Sequence, residues 1–196
     1  MIELPDGISP NMATPRMIDM GFVQESVGGT AVRIERPGNR FEVELSFPPM
    51  PAELARAVVA RINRAKAIGI RVDYPLLGQG QGAPGNPVVD GTDSGGRTLK
   101  LRGLTPGYQV KEGYWLNLIG SDGTRYLHLV TAPAQANATG RATFPVEPPM
   151  RIFPGDGFAV NLSRPTIEGS VVSDATWGLG LGDIVHGIAI TVREAA

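Results

Sequence analysis

The strongest structural signal in this sequence is a segment in which apolar and polar residues alternate strictly. From Phe41 to Phe47, large apolar residues occupy every second position, and Glu42, Glu44 and Ser46 lie between them. Successive side chains of a β-strand point to opposite faces of a sheet, so this pattern is typical of a strand with one buried face. The segment is therefore predicted to be a half-buried strand.

The region before this strand is predicted to contain its partner. Residues 32–35 also alternate, and Pro37 and Gly38 lie between the two segments at the central positions of a type II turn. We therefore predict an antiparallel hairpin of 32–35 with 41–47. Residues 1–20 contain three prolines and are predicted to form an irregular, extended arm; the alternative is a terminal segment packed loosely on its own domain.

One α-helix is predicted over about residues 51–68. Pro51 suits the first turn of a helix, and Gly69 supplies a C-terminal stop. The apolar stripe consists of Leu54, Val58, Ile62 and Ala65. A further strand is expected at 70–74.

The middle of the chain is predicted to be a separate β module. Glycine and proline number 26 and 17 and follow no period, which favours many turns between short strands. Residues 77–96 are loop-like and are expected to form the boundary between two modules. The short strands that follow, at 98–102, 113–119, 125–130 and 140–146, are typical of a small β-barrel or sandwich.

Four apolar segments near the C-terminus also need partners. They lie at 158–162, 167–172, 177–181 and 188–192. The N-terminal module has too few strands to cover a sheet face, so these strands are expected to return to it. The predicted fold is mainly β with one helix. A β-sandwich domain is predicted from 1–77 together with 155–196, and an inserted β-barrel-like module from 78–154.

Charge and composition argue against several classes of partner. The chain has 18 Lys and Arg against 19 Asp and Glu, so it lacks the excess of basic residues typical of proteins that bind nucleic acid or an anionic membrane. It has no cysteine, no secretory signal pattern and no run of roughly 18 apolar residues. We therefore expect a soluble protein made in a cytoplasm, without membrane insertion.

No catalytic, cofactor-binding or metal site is predicted. His128 and His186 each lie beside apolar strand positions, and neither has a second histidine at a metal-ligand spacing. Both are interpreted as satisfied or surface histidines. No Gly-x-Ser-x-Gly motif supports a hydrolase.

Two glycine-rich segments are interpreted as turns. Residues 178–183 lack the helix that a phosphate-binding loop requires, so they are expected to form a glycine-bearing strand or bulge with Asp183 in the turn after it. Residues 90–95 resemble part of a calcium loop, but Leu101 stands where the distal Glu would be.

Other polar and aromatic groups have similarly simple interpretations. The arginines of the predicted helix, Arg56, Arg61 and Arg64, are expected to form a solvated face. Glu42 and Glu44, two apart on one strand, do not form the cleft pair of a glycosidase. An aromatic group in the middle module is expected in a core or interface, with a ligand platform as the alternative: Tyr108, Tyr114, Trp115 and Tyr126.

Several short motifs follow one another at 101–107, 110–115, 125–130, 138–143 and 147–151. Their order resembles that of a β module in minor tail and distal tail proteins of long-tailed bacteriophages. The resemblance covers about 98–196, including Trp177 and the 187–190 strand. The N-terminal part is similar to the tail-tube fold only in its architecture of hairpin, strand, helix and strand.

The resemblance implies a structural subunit of the virion tail, assembled in the host cytoplasm. Copies would join into a homo-oligomeric ring at or near the distal end of the tail tube, in contact with tail-tube, tape-measure and tail-tip proteins. The arm at 1–20 and the loop at 78–96 would contact adjacent rings. Glu42 and Glu44 would face the lumen, through which DNA passes without specific binding.

Two other function classes predict different features. A module that binds carbohydrate or a host surface would expose Tyr114 or Trp115 in a groove. A hydrolase would lose turnover when His128 or His186 is replaced.

Overall fold

The structure is a computed structural model of the chain. It describes residues 1–25, 28–36, 38–78, 80–180 and 182–195. Strands account for 46% of the residues and helix for 9%, which confirms the predicted fold class, mainly β with one helix. In the described part of the chain, no helix combines the length and apolar character that a membrane span requires.

The helix α1 spans Ala52–Ile68, and the strands follow the chain order. They are β1 Ile2–Glu3, β2 Met12–Ile18, β3 Phe22–Glu25, β4 Ala31–Ile34, β5 Arg40–Ser46, β6 Met50–Pro51, β7 Ile70–Asp73, β8 Gly85–Val89, β9 Thr98–Leu104, β10 Gln109–Val110, β11 Trp115–Ile119, β12 Arg125–Val130, β13 Ala134–Gln135, β14 Ala142–Glu147, β15 Val160–Asn161, β16 Thr166–Val171, β17 Thr176–Leu179 and β18 Ile184–Glu194.

The larger sheet has eight strands and combines the two ends of the chain. Its order is β1-β7-β16-β18-β5-β2, and β6 and β17 also pair with β18. The β1–β7 pair is parallel, whereas the other pairs are antiparallel. The C-terminal strands β16 and β18 thus pair with N-terminal strands, as predicted.

The helix α1 covers one face of this sheet. Val58, Ile62 and Ala65 are buried against the core side chains of β5, β16 and β18. Pro51 immediately precedes the helix, and Gly69 follows it with a φ of 82° and an N–H that donates to the carbonyl of Ala65 at 2.7 Å. The predicted helix is confirmed. Its buried stripe begins with Ala55, whereas Leu54 was expected at this position of the stripe.

The second large sheet has six strands and is nearly closed. Its order is β15-β11-β12-β14-β9-β8, and its outer strands meet at a bridge between Val88 and Ala159. The amide of Val89 also donates to the carbonyl of Phe158 at 2.8 Å. We call this sheet the barrel; its own core is filled by residues such as Leu101, Leu118 and Phe144.

The predicted N-terminal hairpin is wrong. The strand β4 pairs with β3, whereas β5 lies between β2 and β18. The apolar face of β5 is fully buried, which a central strand achieves and one arm of an isolated hairpin does not. Pro37, at the centre of the predicted turn, lies outside the described residues.

The prediction of an irregular arm at 1–20 is also wrong in part, because β2 forms a seven-residue edge strand. Pro15 is compatible with an edge strand. Proline has no backbone N–H, and on the outer side of an edge strand no N–H is needed for pairing within the sheet.

The middle of the chain differs from expectation in two places. The segment 77–96, predicted to be a loop, contains β8, whose adjacent Val88 and Val89 are β-branched and favour a strand. The segment 158–162 contributes β15 to the barrel instead of returning to the larger sheet. The division into 1–77 with 155–196 and 78–154 stays a prediction.

The packing of α1 can be tested with two isoleucines of the same helix. Ile62 is fully buried, whereas the side chain of Ile68 is 50% exposed. We expect Ile62→Ala to lower the free energy of unfolding by roughly 2 to 5 kcal/mol and Ile68→Ala to change it by about 0.5 kcal/mol or less. Equal losses in denaturant titrations would contradict the packing of α1 on the sheet.

Candidate functional site

The two histidines lie apart, one in each large sheet. His128 is buried on β12, and its Nδ1 lies 2.9 Å from the carbonyl oxygen of Pro148. Burial lowers the pKa of His128 to about 4, although the bond to Pro148 opposes this shift. The ring is therefore neutral near pH 7, with the proton on Nδ1. His186 lies exposed on β18, so the two imidazoles do not form a common site.

Of the two glycine-rich segments, the described residues of 178–183 form the predicted glycine-bearing strand with Asp183 in the turn after it. Gly178 lies in β17, which has a register shift against β18, and Asp183 follows in the connecting turn with a φ of 58°. Leu181 lies outside the described residues. In the 90–95 segment, Asp90 lies 3.3 Å from Arg141, and the Ser94 hydroxyl accepts a hydrogen bond from the backbone of Lys100 at 2.9 Å.

The aromatic residues of the middle module do not form one exposed platform. Trp115 is buried where the barrel meets the larger sheet, with ring centroids 4.9 Å from Phe41 and 4.5 Å from Tyr74. Tyr114 is half-buried, and the Tyr108 hydroxyl donates to the backbone carbonyl of Gln81 at 2.6 Å. An exposed Trp115, expected of a carbohydrate-binding module, is contradicted by this placement.

Three buried polar side chains connect the barrel to the rest of the chain. The Asn117 amide donates to the carbonyl of Thr166 at 2.8 Å and accepts from the Thr166 amide at 2.6 Å. The Gln81 side chain makes the same pair of bonds with the backbone of Trp115, at 2.8 and 2.7 Å, and also donates to the carbonyl of Leu162. Both side chains therefore replace the hydrogen bonds of a missing neighbouring strand.

The third of these side chains is Glu194, at the end of β18. Its carboxylate accepts from the amides of Leu127 at 2.7 Å and Phe41 at 3.2 Å, and it pairs with Arg151 at 2.7 Å. Burial raises the pKa of Glu194 to about 7, although Arg151 and the two amides oppose this shift. One carboxyl group thereby joins β5, β12 and the segment after β14.

The face of the larger sheet opposite α1 carries charges of alternating sign. Arg71 on β7 pairs with Glu3 on β1 at 3.1 Å and with Glu168 on β16 at 2.7 Å. On the same face, nearer the β2 edge, Glu42 on β5 pairs with Arg193 on β18 and with Arg16 on β2. We call this surface the charged face.

Glu42 corrects one prediction made from the sequence. It was expected to present a free negative charge together with Glu44, but it is buried beneath two arginines. Burial pushes the pKa of Glu42 upward, yet the guanidinium groups of Arg193 and Arg16 hold it below its usual value. Glu44 is exposed. The charged face is therefore close to electrically balanced across its strands.

The outer edge of the larger sheet is formed by β2. Its residues Ala13, Pro15 and Met17 lie opposite the core residues of β5, so they belong to the face that α1 covers elsewhere. The core does not extend over all of them, because Met17 is 43% exposed and Pro15 is also exposed. An apolar strip and an unpaired strand side thus coincide at this edge.

After β2 in the chain, β3 and β4 form a two-stranded hairpin that pairs with no third strand in the described part of the chain. Glu35, directly after β4, accepts two hydrogen bonds from the guanidinium group of Arg97, which lies directly before β9 of the barrel, at 2.7 and 2.8 Å. An isolated two-stranded ribbon is marginally stable in water, so its apolar side chains gain from a partner surface.

Comparisons with known proteins identify no relative. No protein family and no curated protein sequence matches this chain. Within residues 1–25, 28–36, 38–78, 80–180 and 182–195, no three His, Asp or Glu side chains come together in a set suited to a metal ion. The features that carry the candidate functional site are surfaces: the β2 edge, the β3–β4 hairpin and the charged face.

Sequence reasoning missed the buried polar side chains that connect the barrel. Asn117 offered a signal, because it lies between Leu116 and Leu118 in an apolar strand and a buried amide requires partners. Gln81 lay within a segment interpreted as a loop, and Glu194 lay near the chain end, so neither position suggested burial.

Glu194 should make the protein more stable in mild acid. Since its pKa is raised from 4.5 to about 7, the folded chain binds more protons than the unfolded chain between these pH values. Its contribution to stability is full below pH 4.5 and is lost as the pH rises through 7. Relative to Glu194→Gln, the wild type should gain on the order of 3 kcal/mol between pH 7 and 4.5. A pH-independent difference in denaturant titrations would refute this.

His128 should act in the opposite direction. Its pKa is lowered from 6.5 to about 4, so its contribution is present above pH 6.5 and is lost as the pH falls through 4. Relative to His128→Gln, the wild type should lose on the order of 3 kcal/mol over this range. His186→Gln, at an exposed position, is the matched control. Parallel pH profiles of the wild type and His128→Gln would contradict the buried, neutral imidazole.

Proposed function

We propose that this chain is a structural subunit that assembles into a homo-oligomeric ring. Following the resemblance of residues 98–196, we place this ring at or near the distal end of a long-tailed phage tail, between the tail tube and the tail tip. Its neighbours are then tail-tube, tape-measure and tail-tip proteins. The observation that carries the proposal is the β2 edge, where one side of the strand has no partner strand in the described part of the chain and an uncovered apolar strip lies beside it.

The two sheets differ in their capacity to join other copies. The outer strands of the barrel meet each other at Val88 and Ala159, whereas β2 pairs with β5 alone among the described strands. An exposed strand edge offers backbone donors and acceptors to another chain, and at this edge Pro15 alone of the β2 residues has no donor. The larger sheet is therefore the part of the molecule suited to continuation from one copy into the next.

The charged face supports an orientation within the ring. The opposite face is occupied by α1, so the charged face is the one available to line a channel. Three of its carboxylates, those of Glu3, Glu42 and Glu168, are paired with arginines, whereas Glu44 is exposed. A surface of balanced charge attracts DNA weakly, which suits passage without specific binding.

The alternative of a carbohydrate-binding or host-surface module has less support. It predicts an exposed Tyr114 or Trp115 in a groove. Trp115 is instead packed against Phe41 and Tyr74, and Tyr114 is half-buried.

A pair of methionines on β2 tests the proposal. Met17 lies on the apolar side of the strand, and Met12 lies on the charged face. We expect Met17→Lys to convert rings to single chains and Met12→Lys to leave the rings intact. The reason is that Met17 lies in the uncovered apolar strip of β2, whereas Met12 does not. Light scattering after size-exclusion chromatography measures the mass of each variant.

Two outcomes of this experiment would overturn the proposal. One is a wild-type chain that stays monomeric at every concentration and does not enter tail particles. The other is a Met17→Lys chain that assembles as well as the wild type.

A further inference from the structure

Six charged side chains form a row across the charged face, one on each strand of the sheet order from β1 to β2. The sign of the charge alternates along the row, which consists of Glu3, Arg71, Glu168, Arg193, Glu42 and Arg16. Four of its five steps are ion pairs. At the remaining step, Arg193 lies opposite Ser170, the next residue after Glu168 on the same face of β16. We call these six side chains the charge row.

The two ends of the charge row are exposed and carry opposite charges. The side chains of Glu3 and Arg16 are 65% and 69% exposed, whereas those of Glu42 and Glu168 are 4% exposed. Glu42 is shared by two arginines, and Arg71 is shared by two carboxylates. The β2 end of the row therefore has one positive charge in excess, and the β1 end has one negative charge in excess.

The strands that carry these ends run in the same direction. Four antiparallel pairings separate β7 from β2, and β1 is parallel to β7. A rotation about an axis along the strands can therefore place β1 of a second copy beside β2, parallel to it, with the charged faces of both copies on the same side. The next charge after Arg16 is then Glu3 of the second copy, so the alternation continues.

We infer that the β2 edge of one copy meets the β1 edge of a second copy of this chain, with Arg16 of the first copy paired to Glu3 of the second. The guanidinium group has five N–H donors, so Arg16 can hold this carboxylate and Glu42 together. The contact joins two different edges, and its repetition closes into a ring when the rotation permits. The inference rests on the proposed ring and names the contact between its subunits.

The charges determine which edges meet, and the apolar strip of β2 supplies the buried area. An exposed ion pair adds little affinity, but opposite charges steer an association and like charges disfavour the wrong partner. The two-residue strand β1 offers little backbone to a neighbour, because the carbonyl of Glu3 already accepts a hydrogen bond from Arg61 at 2.9 Å. The match between the edges therefore depends on side chains, and a second β2 edge, with its positive end, does not provide it.

Charge reversal at either end of the row tests the contact. Arg16→Glu and Glu3→Arg each bring like charges together, so each should weaken assembly at least tenfold in sedimentation velocity. The matched controls are Arg56→Glu and Glu112→Arg, at exposed positions outside the row, and both should assemble like the wild type.

The two reversals should compensate each other. A chain that carries both Arg16→Glu and Glu3→Arg again has opposite charges at every contact, so it should assemble within about threefold of the wild type. Circular dichroism of each variant checks that the fold is retained. A doubly substituted chain that is folded but remains monomeric would overturn the pairing of Arg16 with Glu3.

A disulfide tests the same pair without relying on charge. The natural chain has no cysteine. Within one copy, five strand spacings place Arg16 and Glu3 about 24 Å apart, which is too far for a disulfide. Mild oxidation of the Glu3→Cys/Arg16→Cys chain should therefore give covalent oligomers on a non-reducing gel.

Arg16→Cys alone is the control for this cross-link, and it should remain a single chain on the gel. A covalent dimer of the Arg16→Cys chain would indicate that two β2 edges meet each other, and single chains alone from the double-cysteine variant would indicate that β2 and β1 do not meet. Either result overturns the inference.

Failure of this inference can be distinguished from failure of the proposed function. If the wild type forms rings that neither charge reversal weakens, the contact is wrong and the proposed ring stands. If the wild type never assembles, the proposed function fails first, and the inference fails with it.

Discussion

The structure depends on hydrogen bonds from buried side chains to backbone groups where the barrel meets the larger sheet. An amide or carbonyl left without a partner there would cost about 1 to 3 kcal/mol. Gln81, Asn117 and Glu194 supply these partners from their side chains, to Trp115, Thr166 and the amides of Leu127 and Phe41. Removal of Glu194 would leave buried amides without a partner in both sheets. Removal of Asn117 would do so at Thr166 of the larger sheet, and removal of Gln81 at Trp115 of the barrel. The two sheets are therefore held in one arrangement although most of each core lies within its own sheet.

This arrangement determines which surfaces remain for other molecules. The barrel closes on itself, and α1 covers one side of the larger sheet. The β2 edge, the β3–β4 hairpin and the charged face are left at the surface. The edge and the hairpin expose large apolar side chains, among them Met17, Phe22 and Val32, whereas the charged face carries paired charges.

The elements with local signals could be predicted from the sequence, and their pairing could not. Pro51 and Gly69 define the ends of α1 because a proline and a glycine act on the backbone beside them. The partners of β5 come from both ends of the chain, so no local turn could reveal them. For the same reason Glu42 was expected to be exposed: its arginines lie on β2 and β18. The candidate surface likewise depends on which strand occupies the edge, a property of the whole sheet.

The central claim is that the larger sheet is built to continue between copies, with its charged face toward a channel. A cryo-electron microscopy map of particles assembled from the purified chain tests this most directly. The account predicts a closed ring in which Arg16 and Arg193, the exposed arginines above Glu42, face the channel and α1 faces away from it. A ring lined by α1, or a preparation that contains single chains alone, would contradict it.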